Sequence, residues 1–553
     1  MADAISDRRQ QMFPELTEAQ LRRISAIGER RNVRAGEILF NVGEQNTSFF
    51  VVLAGGIEVV RPVGAREEPV VLHGPGQFTG EVNMLSARRS LVRGRATVDG
   101  SVIVVERERL RALVQRDSEL SEILMRAFIL RRVGLLAQVD NELVLLGSPH
   151  SGATLRLKEF LTRNAQPFTY AEIERDPSVQ ALLDRFHVSV NEVPVVLCLG
   201  GRVLRNPSIE MLAAELGLSM EFDPKALRDV VIVGAGPAGL AAAVYAASEG
   251  LDALVLEGTA PGGQAGTSSR IENYLGFPTG ISGEALAARA LTQAEKFGAE
   301  MAIAQRAVRL RCDQRSYEIE LGDGQRVRAR TVVIASGAQY RKPELAELSR
   351  FEGAGVYYSA THMEAQICKS EDIAIVGGGN SAGQAAVYLA QTAASVRVLI
   401  RGPGLAESMS RYLIQRIEDT PNIELRIRTV VETLAGTQGL EQVSWRQVDT
   451  GAMGVYPIHH LFLMTGALPN TEWVEGCVVR DDKGFVKAGA DLRPDELREA
   501  RWPLARAPYL AETSLPGVFV VGDARSGSVK RVASAVGEGA GCVQLVHRAL
   551  AEL

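Results

Sequence analysis

The sequence is short of thiols. Five cysteines, Cys198, Cys312, Cys368, Cys477 and Cys542, are scattered over 553 residues, and no CxxC occurs anywhere. That absence excludes a zinc ribbon and a vicinal redox dithiol, no metal site is expected, and an odd, scattered set fits a reducing compartment. An excess of one charge is also missing. The 61 Lys and Arg against 66 Asp and Glu leave a net charge of −5, which gives no general pull toward nucleic acid or an anionic membrane. The one membrane-like stretch, VVIVGAGPAGLAAAVYAA at 230–247, has Gly-Pro-Ala-Gly in its interior and DALVLE after it. Those residues fit strand, turn, helix and strand better than a spanning helix. The opening MADAISDRRQQMFPELTEAQ lacks an apolar signal core, so a cytoplasmic protein is expected.

What the chain has is length and glycine. A chain of 553 residues is too long for one core, and roughly three or four domains are expected. Its 54 glycines exceed ordinary usage and point to tight turns near nucleotides.

Residues 34–60, RAGEILFNVGEQNTSFFVVLAGGIEVV, alternate short β-branched and apolar runs with Gly and Asn turns, the pattern of a small antiparallel roll. HGPGQFTGEVNMLSARRSLVRGRATV at 73–98 then runs from a glycine turn into Glu81 and on to Arg88, Arg89 and Ser90. Backbone N–H groups at a helix start plus an arginine can neutralise a cyclic phosphodiester, and a carboxylate can accept a ribose hydroxyl; a solvated basic turn on a plain roll reads equally well. Residues about 15 to 135 resemble a cyclic nucleotide-binding domain, with FTGEVNMLSARRS as the phosphate-binding cassette. The resemblance implies cAMP or cGMP as effector, bound at Gly80, Glu81, Arg89 and Ser90, with Glu81 on the ribose hydroxyl, Arg89 on the phosphate and Ser90 assisting. The stretch from Glu81 to Arg89 is about a residue shorter than the family pattern, which leaves Arg88 open as the phosphate arginine. ERLRALVQRDSELSEILMRAFILRRVGLLAQV at 108–139 reads as helices that move on binding or as a dimerising helix.

Between 144 and 217 the pattern is strand, loop and amphipathic helix, with Leu155, Leu157, Phe160 and Leu161 on one helix face and VPVV at 193–196 as a strand entered through proline. This resembles a thioredoxin or glutaredoxin fold, with Pro194 at that family's cis-proline position. Its cysteine motif would fall on SPHSGA at 148–153, where no cysteine occurs. The module reads as a degenerate adaptor, and Cys198 as a buried small residue.

The most specific motif is DVVIVGAGPAGLAAAVYAASEGLDALVLEG at 229–258. Gly234, Gly236 and Gly239 follow a strand and open a helix, so the backbone can approach a pyrophosphate, and Glu257 closes the next strand where an acid bonds a ribose hydroxyl. A second fingerprint, Gly377, Gly379 and Ala382, follows DIAIV; its next strand, SVRVLIRG, carries Arg401 where an acid would stand. An arginine there suits the 2′-phosphate of NADPH, or is a solvated strand-end charge.

Two such sites suggest FAD first and NAD(P)H second. Together with PGGQAG, IENYLGFP, VVIASGA, MTGALPNT and LPGVFVVGDARSGSVKRVASAVGEG, they make residues about 226 to 553 similar to the thioredoxin reductase family. The resemblance implies that Gly263, Gln264 and Asn273 line the flavin, that Asp523 holds the ribityl chain, and that Arg531 and Ala533 stand near the pyrimidine edge. It implies a homodimer whose NADPH domain rotates over the flavin. The family's NADPH arginines are reduced to Arg401, with Gly402 and Ala406 in the other places, which leaves NADPH against NADH open. Its CxxC falls on Ser359-Ala360-Thr361-His362, and a serine hydroxyl cannot form a disulfide.

The expected architecture is multidomain. A β-roll with helices occupies 1–140, a small α/β thioredoxin-like module 141–222, a Rossmann-like FAD domain 226–342 plus 466–553, and an inserted NAD(P)H domain 343–465. The expected activity is an FAD-dependent NAD(P)H oxidoreductase tuned by cyclic nucleotide, passing electrons to ferredoxin, a quinone, oxygen or an external disulfide. Redox partners would be ferredoxin- or thioredoxin-like. The alternatives are a thioredoxin reductase using other cysteines, Cys368 being the nearest, and a non-catalytic flavin and nucleotide sensor.

Overall fold

The computed structural model describes residues 11–552, except 45–46, 64–65, 81–89, 91, 138–142, 149–150, 174–191, 199–201, 313–315 and 438. The N-terminal roll is built from β1 (Glu29–Val33), β2 (Ile38–Phe40), β3 (Phe49–Ala54), β4 (Ile57–Val63), β5 (Arg66–His73), β6 (Arg93–Ala96) and β7 (Gly100–Val105). They form two antiparallel sheets, β1-β7-β3 and β2-β6-β4-β5. The FFVV run of β3 is buried on both faces, which is why it reads as a continuous apolar stretch. The helical region after the roll is two helices, α1 (Arg107–Arg116) and α2 (Ser118–Ala137). The break falls at Asp117, whose carboxylate accepts the Leu120 N–H and pairs with Arg23 at 2.7 Å. Leu110, Leu120, Leu124 and Phe128 of these helices pack on Phe49 and Phe78 of the roll.

The middle module is a four-stranded sheet of β8 (Val144–Gly147), β9 (Thr169–Glu172), β10 (Val195–Leu197) and β11 (Val203–Arg205), in the order β11-β10-β8-β9. Helix α3 (Gly152–Arg163) makes the crossover between parallel β8 and β9, and β10 runs antiparallel to β8. The Val193–Pro194 peptide is cis. The expected helix face needs one correction. Thr154, Leu157, Phe160 and Leu161 are buried in the module, whereas Leu155 points elsewhere and packs against the core of the last α/β unit described below. The reason is angular: residues 155 and 157 are about 200° apart on a helix of 3.6 residues per turn.

The next unit centres on β12 (Leu227–Val233), β13 (Ala253–Glu257), β14 (Glu300–Ile303), β15 (Ala307–Arg311), β16 (Tyr317–Leu321) and β17 (Arg326–Ile334), in the order β14-β13-β12-β17-β16-β15. Strand Val518–Val520, from the C-terminal part of the chain, pairs parallel with β17 and so ties the two chain segments into one sheet. Two facts fix the ligand end. Helix α4 (Pro237–Ser248) follows β12 directly, with Pro237 at its first position, and helix α5 (Gly283–Phe297) leads into β14. Between the halves lies a second parallel sheet. It contains Val356–Tyr357, Asp372–Val376, Ser395–Leu399, Ile423–Arg426 and His460–Leu463, with helix Asn380–Leu389 opening on its fingerprint. The crossing is made by a two-stranded ribbon, Ala338–Tyr340 against Ala467–Pro469.

Candidate functional site

The first glycine cradle is made by backbone contacts that exclude side chains. Gly234 has φ +107°, and a Cβ there would lie 2.3 Å from the Ala335 carbonyl oxygen. A Cβ on Gly239 would lie 1.8 Å from the Gly234 carbonyl oxygen, so helix α4 presses directly on β12. Gly236 differs: it caps α4, and a Cβ there would meet nothing closer than the Gly263 Cα at 3.9 Å. The space beyond Gly236, at the N-terminus of a helix at the carboxyl end of a parallel sheet, is suited to a pyrophosphate. Glu257 closes β13, and its carboxylate accepts the Ala235 N–H at 2.8 Å and the Thr259 N–H at 2.9 Å. It therefore fixes the fingerprint loop against the loop that carries Gly262 and Gly263.

Gln264 donates its amide to the Ala338 carbonyl at 2.6 Å, joining that loop to the ribbon. Asp523 sits in the 3-10 turn Gly522–Ala524, and burial pushes its carboxyl upward, with Lys530 opposing. Such a carboxylate fits a polyhydroxyl chain that hydrogen-bonds it. Asn273, Arg531 and Ala533 are exposed. Close glycine packing, an open phosphate position and a buried acid make a donor set that fits FAD.

The second cradle repeats the design. A Cβ on Gly377, at φ +148°, would lie 2.4 Å from the Met464 carbonyl oxygen, Gly379 caps helix Asn380–Leu389, and Ala382 is buried beneath it. Arg401 is exposed just past strand Ser395–Leu399. Sequence reasoning missed the loop that follows. Ser408 donates to the Gly378 carbonyl at 2.8 Å and the Ser410 N–H donates to the Asn380 side chain at 2.7 Å, folding residues 402–410 over the fingerprint. It also missed Tyr340 of the ribbon. Burial raises its phenol, Asp523 adds to the rise and a hydrogen bond to Ser381 opposes it. Tyr340 thus stands between an acid of the first cradle and a fingerprint residue of the second. Isolated serines and a tyrosine carry no periodic signal that could have revealed this.

Where the resemblance would put a dithiol, Ser359 is half-buried, and His362 begins the helix His362–Ile367, with its side chain outside the described residues. Thr361 donates its N–H to Glu364 at 2.7 Å and bonds it through the hydroxyl as well. Burial raises the Glu364 carboxyl despite those bonds. Burial pushes the thiols of Cys198 and Cys368 up to about 11, and that of Cys542 higher still. None of these is a ready nucleophile. Cys312 and Cys477 are joined as a disulfide with Cα atoms 6.0 Å apart. Their separation of 165 residues hid that pairing from a reading in which the cysteines are simply scattered.

In the roll, Gly80 has φ +111°, and Ser90 bonds the Val92 carbonyl at 2.8 Å. Glu81, Arg88 and Arg89 lie outside the described residues. Arg131, from α2, reaches to the entrance of this segment, donating to the Phe78 and Gly80 carbonyls at 2.9 and 3.0 Å. Its guanidinium stacks on the Phe78 ring, and burial pushes its pKa down to about 9. On the neighbouring helix, Gln115 donates to the Phe297 carbonyl at 2.8 Å, the last residue of α5. The opposite end of α5 rests on the loop that carries Gly263 and Gln264: the Gly283 N–H donates to the Ser268 carbonyl at 2.8 Å, and a Cβ on Gly283 would lie 1.8 Å from the Ala265 carbonyl oxygen.

Among the described residues, no three His, Cys, Asp or Glu side chains converge as a metal site, and no helix is long and apolar enough to cross a membrane.

Residues 228–539 match the family described as pyridine nucleotide-disulphide oxidoreductase, and residues 30–117 match the cyclic nucleotide-binding domain. The thioredoxin reductase of Streptomyces coelicolor is 32% identical over 314 residues, which cover 57% of this chain and 91% of that protein. An NADH dehydrogenase of Bacillus subtilis is 29% identical over 339 residues, covering 60% of this chain and 61% of that one. Among solved structures, thioredoxin reductase of Lactococcus lactis in its FR conformation superposes with a TM-score of 0.53 at 28% identity, covering 59% of this chain and 100% of that one. Thioredoxin reductase of T. acidophilum gives 0.52 at 27%, covering 59% and 99%.

Proposed function

The chain belongs to the pyridine nucleotide-disulphide oxidoreductase family and is an FAD-dependent NAD(P)H oxidoreductase of thioredoxin-reductase type with a cyclic nucleotide-binding domain ahead of it, and on that premise we propose that it reduces an acceptor other than a dithiol of its own. The observation that carries this reading is Ser359 at the place of the first thiol, beside two intact glycine cradles. Bound FAD and nicotinamide supply the redox chemistry themselves, so the half-reaction between them needs no protein nucleophile. The chain's part is positioning. In this reading Gly234, Gly236, Gly239, Glu257, Gly263, Gln264, Asn273, Asp523, Arg531 and Ala533 hold FAD, and Gly377, Gly379, Ala382 and Arg401 hold NADPH or NADH. The acceptor is ferredoxin, a quinone, oxygen or the disulfide of an external partner.

We divide the chain at the expected bounds, with the FAD domain at 226–342 plus 466–553 and the NAD(P)H domain at 343–465. We read 141–222 as thioredoxin-like; the sheet order β11-β10-β8-β9, with one parallel crossover, supports this. A homodimer is supported by Leu275 and Leu510, which are 94% and 82% exposed on the FAD domain. A cytoplasmic location completes the reading. We infer further that cAMP or cGMP, held by Gly80, Glu81, Arg89 and Ser90, tunes the reductase. Helix α5 supports the route, because Gln115 grips its end while its start rests on the flavin loop.

A second reading has one observation in its favour. The Cys312–Cys477 disulfide is a thiol pair that could accept electrons from within the chain. Acceptor profiling with and without cyclic nucleotide tests both. Turnover with a non-thiol acceptor, at a rate that cAMP or cGMP changes, is expected. Reduction of thioredoxin that is lost in Cys477→Ser would favour the second reading, and no turnover with any acceptor would leave a flavin and nucleotide sensor.

A further inference from the structure

Helix α3 of the middle module touches both nucleotide-binding domains at once. At its C-terminal end the grip is on the FAD domain. The Asn164 amide, 3% exposed, donates to the Thr259 carbonyl at 3.1 Å, and Arg163 donates to the carbonyls of Ala260 and Gly263 at 3.3 and 3.1 Å. Those carbonyls belong to the loop pinned by Glu257. The module's apolar core also runs on without a break into Ile303 and Ala304 of the FAD domain.

At its N-terminal end the same helix meets the NAD(P)H domain. Leu155 packs on the core that contains Ala360, within the segment that replaces the dithiol, and Tyr357, Ala365 and Cys368 on either side of it. Gly152 and Gly353 bring their backbones together: a Cβ on Gly353 would lie 2.9 Å from the Gly152 Cα, and one on Gly152 would lie 3.2 Å from the Glu352 carbonyl oxygen. Lys158 lies in the same face. Burial lowers its ammonium, and the carboxylates of Glu172 and Glu364 draw it the other way. The Glu364 carboxylate also accepts the Thr361 N–H.

We propose that the middle module is a built-in clasp: helix α3 covers the segment that replaces the dithiol and holds the NAD(P)H domain in one orientation on the FAD domain. A helix of 12 residues is about 18 Å long and stiff. With both ends engaged, the NAD(P)H domain cannot turn relative to the FAD domain without breaking one set of contacts. The two ends are unequal. The FAD end has a buried amide, a guanidinium bonded to two carbonyls and a continuous apolar core, whereas the NAD(P)H end has one leucine and a glycine contact. Release therefore begins at Leu155. The module's helix start, where a thioredoxin fold carries its thiols, lies against Glu352 and Gly353, a few residues ahead of the segment that replaces this reductase's own dithiol. An external protein cannot reach that surface while the clasp is shut. This inference rests on the reading of the two nucleotide domains given above.

Hydrogen exchange on the full-length, FAD-loaded protein under anaerobic conditions, with and without NADPH, tests the clasp. In the native chain, exchange in 352–367 is expected to stay within about twofold on adding NADPH. Leu155→Glu should speed exchange in 352–358 about tenfold while peptides spanning 157–163 keep their protection, because Leu155 lies outside the module's own core. Lys158→Glu, which sets like charges against Glu364, should release the same segment. Native exchange in 352–358 as fast as in these variants, or a native tenfold rise with NADPH, would overturn the clasp. Flavin bleaching by NADPH is read in the same samples. Bleaching with no difference in exchange sinks the clasp alone, whereas no bleaching in the native protein sinks the oxidoreductase reading beneath it.

Discussion

Gly236 and Gly239 stand three residues apart in one fingerprint, yet they should respond oppositely to the same added methyl. At Gly239 the Cβ would fall 1.8 Å from the Gly234 carbonyl oxygen, so Gly239→Ala must push α4 off β12. Overpacking of that kind destabilises by roughly 1–3 kcal/mol. At Gly236 the backbone has φ −71° and ψ −178°, which alanine adopts freely, and the nearest atom is 3.9 Å away. Losing glycine at a helix N-cap should cost no more than about 1 kcal/mol. The same methyl, however, projects into the space that the FAD reading gives to the pyrophosphate. Loss of close backbone approach should weaken FAD binding about a hundredfold, or ~2.7 kcal/mol. The assay is flavin titration of the apoprotein beside urea unfolding of each variant. Gly236→Ala should unfold near the native midpoint and bind FAD poorly, while Gly239→Ala should show a lowered midpoint. Native-like FAD affinity in Gly236→Ala would refute the assignment of that space to the cofactor.

Arg401→Ala should raise the KM for NADPH about tenfold and leave that for NADH unchanged, the loss of one charge-assisted contact, as read from steady-state kinetics with each donor. Gln115→Ala removes the bond to the end of α5, so the effect of cAMP or cGMP on the flavin reduction rate should shrink while the basal rate stays, as stopped-flow absorbance would record. His73 is buried in the roll beside Arg131, and burial lowers its pKa from 6.5 to about 3. Its folded value lies below its unfolded one, so the contribution to stability is complete above pH 6.5 and falls as pH drops from there toward 3, by about 1.4 kcal/mol per pH unit. Denaturant unfolding between pH 4 and 7 should show that slope, and His73→Phe should flatten it.

The parts of the fold legible in the sequence are those where backbone contact restricts residue type. Gly234, Gly239 and Gly377 each face a carbonyl oxygen at a distance no side chain permits, so their spacing records the cradle directly. The roll was legible for a related reason, since FFVV in β3 is buried on both faces. What escaped was pairing at long range by residues with no local pattern. Helical spacing already sets Leu155 apart from Leu157, but the other domain that it faces is visible only in three dimensions. Ser408 and Asn380 are common residues in loops and helix starts, Tyr340 ends a short strand, and their roles come from what the chain folds back upon. Cys312 and Cys477 are invisible as a pair for the same reason. The opposite case is Ser359, where an absence in the sequence was informative because the frame around it was intact.

The most direct test of the central claim, that NAD(P)H charges the flavin and no dithiol of this chain takes the electrons onward, is an anaerobic titration of the FAD-loaded protein with NADPH and with NADH. Complete bleaching of the flavin absorbance by one equivalent of the donor per FAD is the result expected. Bleaching that needs two equivalents would place Cys312 and Cys477 in the electron path, and a flavin that neither donor bleaches would contradict the claim outright.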